Sequence, residues 1–226
     1  MLYQRRVICF FYRAGAFSLT LAGLAAGSGF TAPGTAFLYY TTLSNLVYLA
    51  FLGYLLLRTA AALAHGGTRG PSDYAPDAAM AVTLVISFTF LIFWTLLAPN
   101  CRLFFPEVSL LSFGNLCVHA LAPLSAMTDY ALFRRPGRLS RRAILLAVLL
   151  PSVWVGVVLA LGLTQSVVYY TVAGIPRYFP YPFMDFDALG GGAAAGIGIV
   201  TAVFVGAALL LYRADCRLAK RRRATK

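Results

Sequence analysis

The 226-residue chain is 60% hydrophobic and only 12% charged, with a mean hydropathy of +0.78. Soluble domains carry about 25% charged residues, so this composition excludes an ordinary soluble enzyme, a disordered chain and a disulfide scaffold. The net charge of +12 would suit a nucleic-acid binder, but its distribution argues otherwise: seven of the 19 basic residues lie between Arg213 and Lys226, and five lie between Arg134 and Arg142. Both clusters flank apolar runs, where they form a rim beside anionic headgroups. Membrane lipids, not nucleic acid, are the expected partners.

Six apolar runs follow one another along the chain, each long enough to cross a hydrocarbon core of roughly 30 Å as a helix. The first, Val7–Gly29, follows Arg5 and Arg6 like a signal peptide. It exceeds the roughly 7–15 apolar residues of such a segment and is interrupted by Arg13, so it is read as a retained span. The second, Ala36–Leu63, gives way to a loop rich in helix breakers, His65–Asp73. The third, Ala79–Ala98, and the fourth, Ser109–Phe133, are joined by the short segment Pro99–Val108. The fifth, Ala143–Leu163, is followed by an aromatic segment with two prolines, Arg177–Asp187, suited to the headgroup interface. The sixth, Leu189–Tyr212, opens on Gly190–Gly192, Gly196 and Gly198, which read as close helix-packing positions.

Assigning the connections to alternate sides puts 17 basic residues on one side and two, Arg102 and Arg177, on the other. The positive-inside rule then places both termini in the cytoplasm and favours an even number of spans. The expectation is an all-α integral membrane protein. It has a bundle of six transmembrane helices in one domain, residues 1–212, and a basic cytoplasmic tail, residues 213–226. Arginine outnumbers lysine 17 to two, a bias of GC-rich bacterial genomes, which points to a bacterial cytoplasmic membrane.

The residue supply narrows the chemistry. Of two histidines, His65 lies in a loop and His119 in a span, and the four cysteines (Cys9, Cys101, Cys117, Cys216) are dispersed. Neither a bis-histidine haem nor a zinc site can be assembled from these, so no cofactor or metal is expected. A polar group at membrane depth is costly and is read as functional by default. His119 lies about 15 Å along the fourth run, with Asn115 on the same face at i−4. Pro123, at i+4, removes the helical donor to the His119 carbonyl and opens the way to a kinked cavity. His119 is therefore a candidate base or proton carrier; the alternative is a structural histidine bonded to a neighbouring helix. Cys117 is about 200° from it round a helix, and Asp129 about 15 Å further along, so neither completes a catalytic group with it. Depth pairs Asp129 with Arg13 instead, as a structural ion pair. In the second run Thr41 and Thr42 each stack near Asn45, at i+4 and i+3. Either threonine is a nucleophile if a base lies beside it, or interhelical glue if not.

Three landmarks, Tyr40-Thr-Thr-Leu-Ser-Asn-Leu46, His119-Ala-Leu-Ala-Pro123 with Asp129, and Tyr181-Pro-Phe-Met-Asp185, carry a resemblance that spans nearly the whole chain. The sequence resembles the androgen-induced-gene-like family of multipass membrane threonine hydrolases, particularly its bacterial six-span relatives. Animal members hydrolyse fatty acid esters of hydroxy fatty acids with an intramembrane threonine and histidine. The resemblance implies His119 as the catalytic histidine. A gapless comparison through Asn45-Leu46 selects Thr42 as nucleophile, with Thr41, more typical of the bacterial pattern, as the alternative. It further implies acyl transfer within the bilayer, with Asn45 or Asn115 orienting the imidazole or donating to the oxyanion. Asp129 and Asp185 match acidic positions without an assigned role. A non-enzymatic protein that binds a lipid or small molecule in the same polar pocket is the rival expectation.

Overall fold

The structure is a computed structural model that describes residues 4–27, 35–100, 109–170 and 176–224. The end of the first apolar run, and the connection carrying Cys101 and Arg102, lie outside these described residues. Six helices are long and apolar enough to cross a membrane: α1 (Arg6–Ala26), α2 (Tyr40–Gly66), α3 (Pro76–Asn100), α4 (Phe113–Phe133), α5 (Arg142–Leu163) and α6 (Gly191–Ala224). α6 does not stop at Tyr212 but continues through the basic segment expected to be a separate tail, to Ala224. Nothing between Tyr212 and Ala224 breaks a helix, since no Gly or Pro occurs there.

One end of the bundle collects the basic residues. Arg6 Nη1 donates to the carbonyls of Ala62, Gly66 and Gly67, satisfying the open C-terminus of α2. Arg134, just beyond α4, reaches Asp73 in the α2–α3 connection at 3.0 Å. The Gly137 and Leu139 N–H groups donate to Asp215 of α6. The N-terminus, both of these connections and the end of α6 therefore meet.

α3 is the hub and packs on α2, α4, α5 and α6, while α1 packs on α2 and α4. Small residues allow the close approach: Gly23 of α1 lies so near Cys117 of α4 that a side chain on it would overlap the cysteine Cβ. At the opposite end, β1 (Tyr169–Tyr170) and β2 (Pro176–Arg177) form a two-stranded antiparallel ribbon pairing Tyr169 with Arg177. The chain then makes one 3₁₀ turn, Pro182–Met184, and one α turn, Phe186–Leu189, before α6. Asp185 caps that turn by accepting from the Ala188 N–H and pairs with Arg177 at 3.4 Å. Its place is thus in fastening the aromatic segment.

Of the glycines expected to pack helices, Gly196 instead lies against the turn before α6, where a Cβ would lie 2.9 Å from the Phe183 carbonyl oxygen. Gly190 instead adopts φ +51° and turns the chain into α6, a conformation that favours glycine. Gly191 and Gly198 face open space.

Candidate functional site

The site is built from two local departures from the α-helix. In α4 the segment Cys117–Leu121 is a π turn, and the Ala122 N–H bonds to the Cys117 carbonyl five residues back. That choice leaves the Val118 carbonyl without its ordinary i+4 donor, and Pro123 leaves the His119 carbonyl without one as well. Both are satisfied from neighbouring helices. Asn45 Nδ2 of α2 donates to Val118 O at 3.0 Å, and Trp94 Nε1 of α3 donates to His119 O at 3.0 Å. The second departure is in α3, where Phe93–Leu97 is also a π turn. It lays the Phe93 ring on the His119 imidazole, with ring centroids 3.6 Å apart and planes inclined by 20°.

His119 is held at both nitrogens. Nδ1 lies 3.2 Å from the Asn115 carbonyl, an acceptor only, so Nδ1 carries the proton and donates. The neutral ring then presents a lone pair at Nε2, and the Thr41 Oγ1 lies 3.2 Å from it. In this arrangement the threonine O–H donates to the imidazole. The bond is made to Thr41 and not to Thr42, the residue a gapless comparison selects. One residue along an α-helix is a rotation of about 100°, so only one of the two neighbours can face α4.

The helix ends also correct the depth of the site. α2 begins at Tyr40 and α4 at Phe113, about four residues later than expected, so that His119 lies only about 9 Å along α4 and Thr41 in the first turn of α2. Measured along the helices, the pair therefore lies nearer the ribbon end of the bundle than the apolar runs imply.

The asparagines take roles other than the ones expected. Both Nδ2 hydrogens of Asn45 are engaged, by the Thr41 carbonyl at 2.9 Å and by Val118 O, so this amide locks α2 to α4 and cannot donate to a substrate. Asn115 holds the imidazole through its backbone carbonyl, while its side chain donates to Leu110 O at 2.9 Å. Asp129 is bonded to Arg13 at 2.7 Å, far down α4 from the imidazole. Cys117 faces α1 at Gly23, away from the pair.

Thr41 lines a cavity of about 300 Å³ enclosed by α2, α3, α5, α6 and the segment before α6. Its walls are mostly apolar, with Phe88, Ile92, Phe93, Trp154, Met184 and Phe204 among them. His119 stands behind Thr41 and Phe93. Tyr181, only 6% exposed, reaches Thr41 from the ribbon end and lines the same cavity. Burial pushes its phenol up to about 12. It therefore keeps its proton and is available as a donor. Tyr181, Trp94 and Phe93 were not singled out by sequence reasoning. Tyr181 opens the Tyr181–Asp185 segment, but nothing in its spacing connects it to a threonine 140 positions earlier.

Among the described residues, no group of three or more His, Cys, Asp or Glu side chains is placed to hold a metal ion. Comparison with family models, curated proteins and solved structures gave no match.

Proposed function

We propose that this protein is an intramembrane lipid-ester hydrolase in which Thr41 is the nucleophile and His119 its base. The observation that carries the reading is the Thr41 Oγ1–His119 Nε2 contact, with the imidazole tautomer set by Asn115 O, at the wall of an apolar cavity. A nucleophile within hydrogen-bond reach of a base that a third group orients is the arrangement covalent acyl transfer requires. In the first step Oγ1 attacks the ester carbonyl and its proton passes to Nε2. The tetrahedral intermediate collapses to acyl-threonine, and the alcohol leaves with that proton. Water then attacks the acyl-threonine, again giving its proton to His119, and the fatty acid is released as Thr41 recovers its hydrogen. Tyr181 is the donor available to the developing oxyanion, the part that the resemblance implies for an asparagine.

The resemblance to multipass threonine hydrolases supports the same reading, now with Thr41, the threonine typical of the bacterial pattern. Fatty acid esters of hydroxy fatty acids are the substrates to try first. The 17-to-two division of basic residues supports a cytoplasmic basic end, and the arginine bias supports a bacterial cytoplasmic membrane.

The test uses purified protein in detergent or nanodiscs, a fluorophosphonate probe with mass-spectrometric mapping, and long-chain hydroxy fatty acid esters. Labelling at Thr41, lost with turnover in Thr41→Ala and His119→Ala but retained in Thr42→Ala, is expected. Undiminished turnover in His119→Ala, or a label mapped to Thr42, overturns the assignment. Stoichiometric ester binding without turnover would identify a lipid-binding protein instead.

A further inference from the structure

The cavity has a direction. Gly156 of α5 and Ile197 of α6 line it seven and six residues from the ribbon-side ends of their helices, about 10 Å in, level with His119. Ser152 and Thr201 line it eleven and ten residues in, about 16 Å, and Val148 and Phe204 about 20–22 Å in. In a hydrocarbon core of roughly 30 Å, the cavity therefore runs from Thr41 past the bilayer midplane. It is also open sideways. Ser152, Gly156 and Thr201 are exposed although they line it, and a side chain added at Gly156 would meet nothing within 4 Å. Deeper wall residues such as Phe88 and Phe204 are buried.

We propose that this cavity is an acyl-chain channel, entered from the lipid between α5 and α6 through the mouth at Ser152, Gly156 and Thr201. The substrate is then an ester whose long chain is loaded from the bilayer interior. Three features carry this inference, which rests on the hydrolase reading for its chemistry. The mouth lies at a depth where only hydrocarbon is available to fill it. The walls are apolar, and the Thr89 hydroxyl among them is taken up by Ser44 Oγ at 2.6 Å, so a chain displaces little polar hydration. Apart from the hydroxyls of Ser152 and Thr201 at the mouth and of Thr89, the polar side chains lie at the shallow end, where Thr41 and Tyr181 would meet the ester group near the headgroup boundary while the chain hangs towards the midplane, as lipid chains do. The small residues at the mouth leave room for a chain to slide in without parting the helices.

The test does not depend on which ester is the natural one. Protein in phosphatidylcholine vesicles is photolysed with a fatty acid carrying a diazirine near its tail, and crosslinks are mapped. Residues 148–156 and 197–205 are expected to be labelled, and Ser152→Phe and Thr201→Phe to lose that labelling. Both positions are exposed, so neither variant disturbs packing. Leu57→Phe, on a 73% exposed position of α2, serves as the control. On ester substrates the two blocking variants should lower kcat/KM for long chains about tenfold or more and leave short chains unchanged. Crosslinks confined to other helices, or an unaltered chain-length profile, overturn the channel. His119-dependent turnover that ignores both blocks leaves the hydrolase standing and removes the channel. Tail crosslinks in the channel with no turnover of any ester do the reverse.

Discussion

The bundle holds two polar regions, one towards each end, and they are built on opposite principles. At the basic end Arg13, fully buried, bonds Asp129 through Nε at 2.7 Å and Nη2 at 3.3 Å, and its Nη1 serves Ser72 O and Thr59. Arg134 bridges Asp129 at 3.6 Å and Asp73 at 3.0 Å, and Arg138 joins Asp73 at 3.4 Å. Burial pushes the Arg134 guanidinium below its ordinary range, and the Asp129 carboxylate works against that. Opposite charges meet here and their bonding capacity is used on one another, which holds α1, α4 and the connections together. Towards the ribbon end the Arg177–Asp185 pair fastens the aromatic segment, and among the described residues no charged group bonds to Thr41 or His119. A neutral imidazole and a threonine share a single hydrogen bond, and the threonine and the Tyr181 phenol line an apolar cavity. The difference is that the polar groups of the basic end are spent on neighbouring protein groups, whereas Thr41 and Tyr181 still face a cavity.

Substitutions separate the two regions. Arg13→Ala should have the largest effect on folding, about 3–5 kcal/mol, because it leaves Asp129 charged and buried beside only Arg134. Denaturant unfolding in detergent reads this. The paired change Arg13→Met with Asp129→Leu should recover most of it, and a failure to recover would show that the cluster does more than neutralise charge. His119→Ala should instead leave unfolding nearly unchanged and lower kcat about 10²–10⁴-fold. Adding Thr41→Ala should lower it little further, since the two act as a unit. A loss of stability comparable to that of Arg13→Ala would erase the distinction. Trp94→Phe lies between the regions in kind. It strands the His119 carbonyl without a donor, at a cost of about 1–3 kcal/mol, and loosens the ring that Thr41 must meet. Both melting and kcat should fall, whereas KM should hold. Thr42→Ala should be the smallest, within about 0.5 kcal/mol in stability and without effect on turnover.

Much of the layout was legible in the chain because membrane insertion writes itself in long apolar runs, and six such runs are six helices here. The Arg13–Asp129 contact followed from depth alone, since two opposite charges at one level of a low-dielectric bundle have few other partners. Other features were not legible. His119 and a threonine of the second span were expected to be neighbours, but the choice of Thr41 depends on helix rotation, which shifts by about 100° per residue. Helix ends displaced by about four residues bring the pair closer to the ribbon end of the bundle than the apolar runs imply. The π turns at 93–97 and 117–121 have no signature beyond Pro123, yet the turn at 117–121 frees the Val118 carbonyl, as Pro123 frees that of His119, which explains Asn45 and Trp94.

A chain so poor in charge had already determined its solvent, the number of its spans and the short inventory of side chains from which a site can be made. Those are properties of composition and periodicity, and they survive any small rotation or slip of a helix. Tertiary structure alone decided which of those side chains meet, because contacts between helices turn on ångströms and tens of degrees that hydropathy does not encode. It set Tyr181, far along the chain, in the same cavity wall as Thr41, spent Asn45 on a backbone carbonyl, and placed that cavity beside a hydroxyl that faces an imidazole.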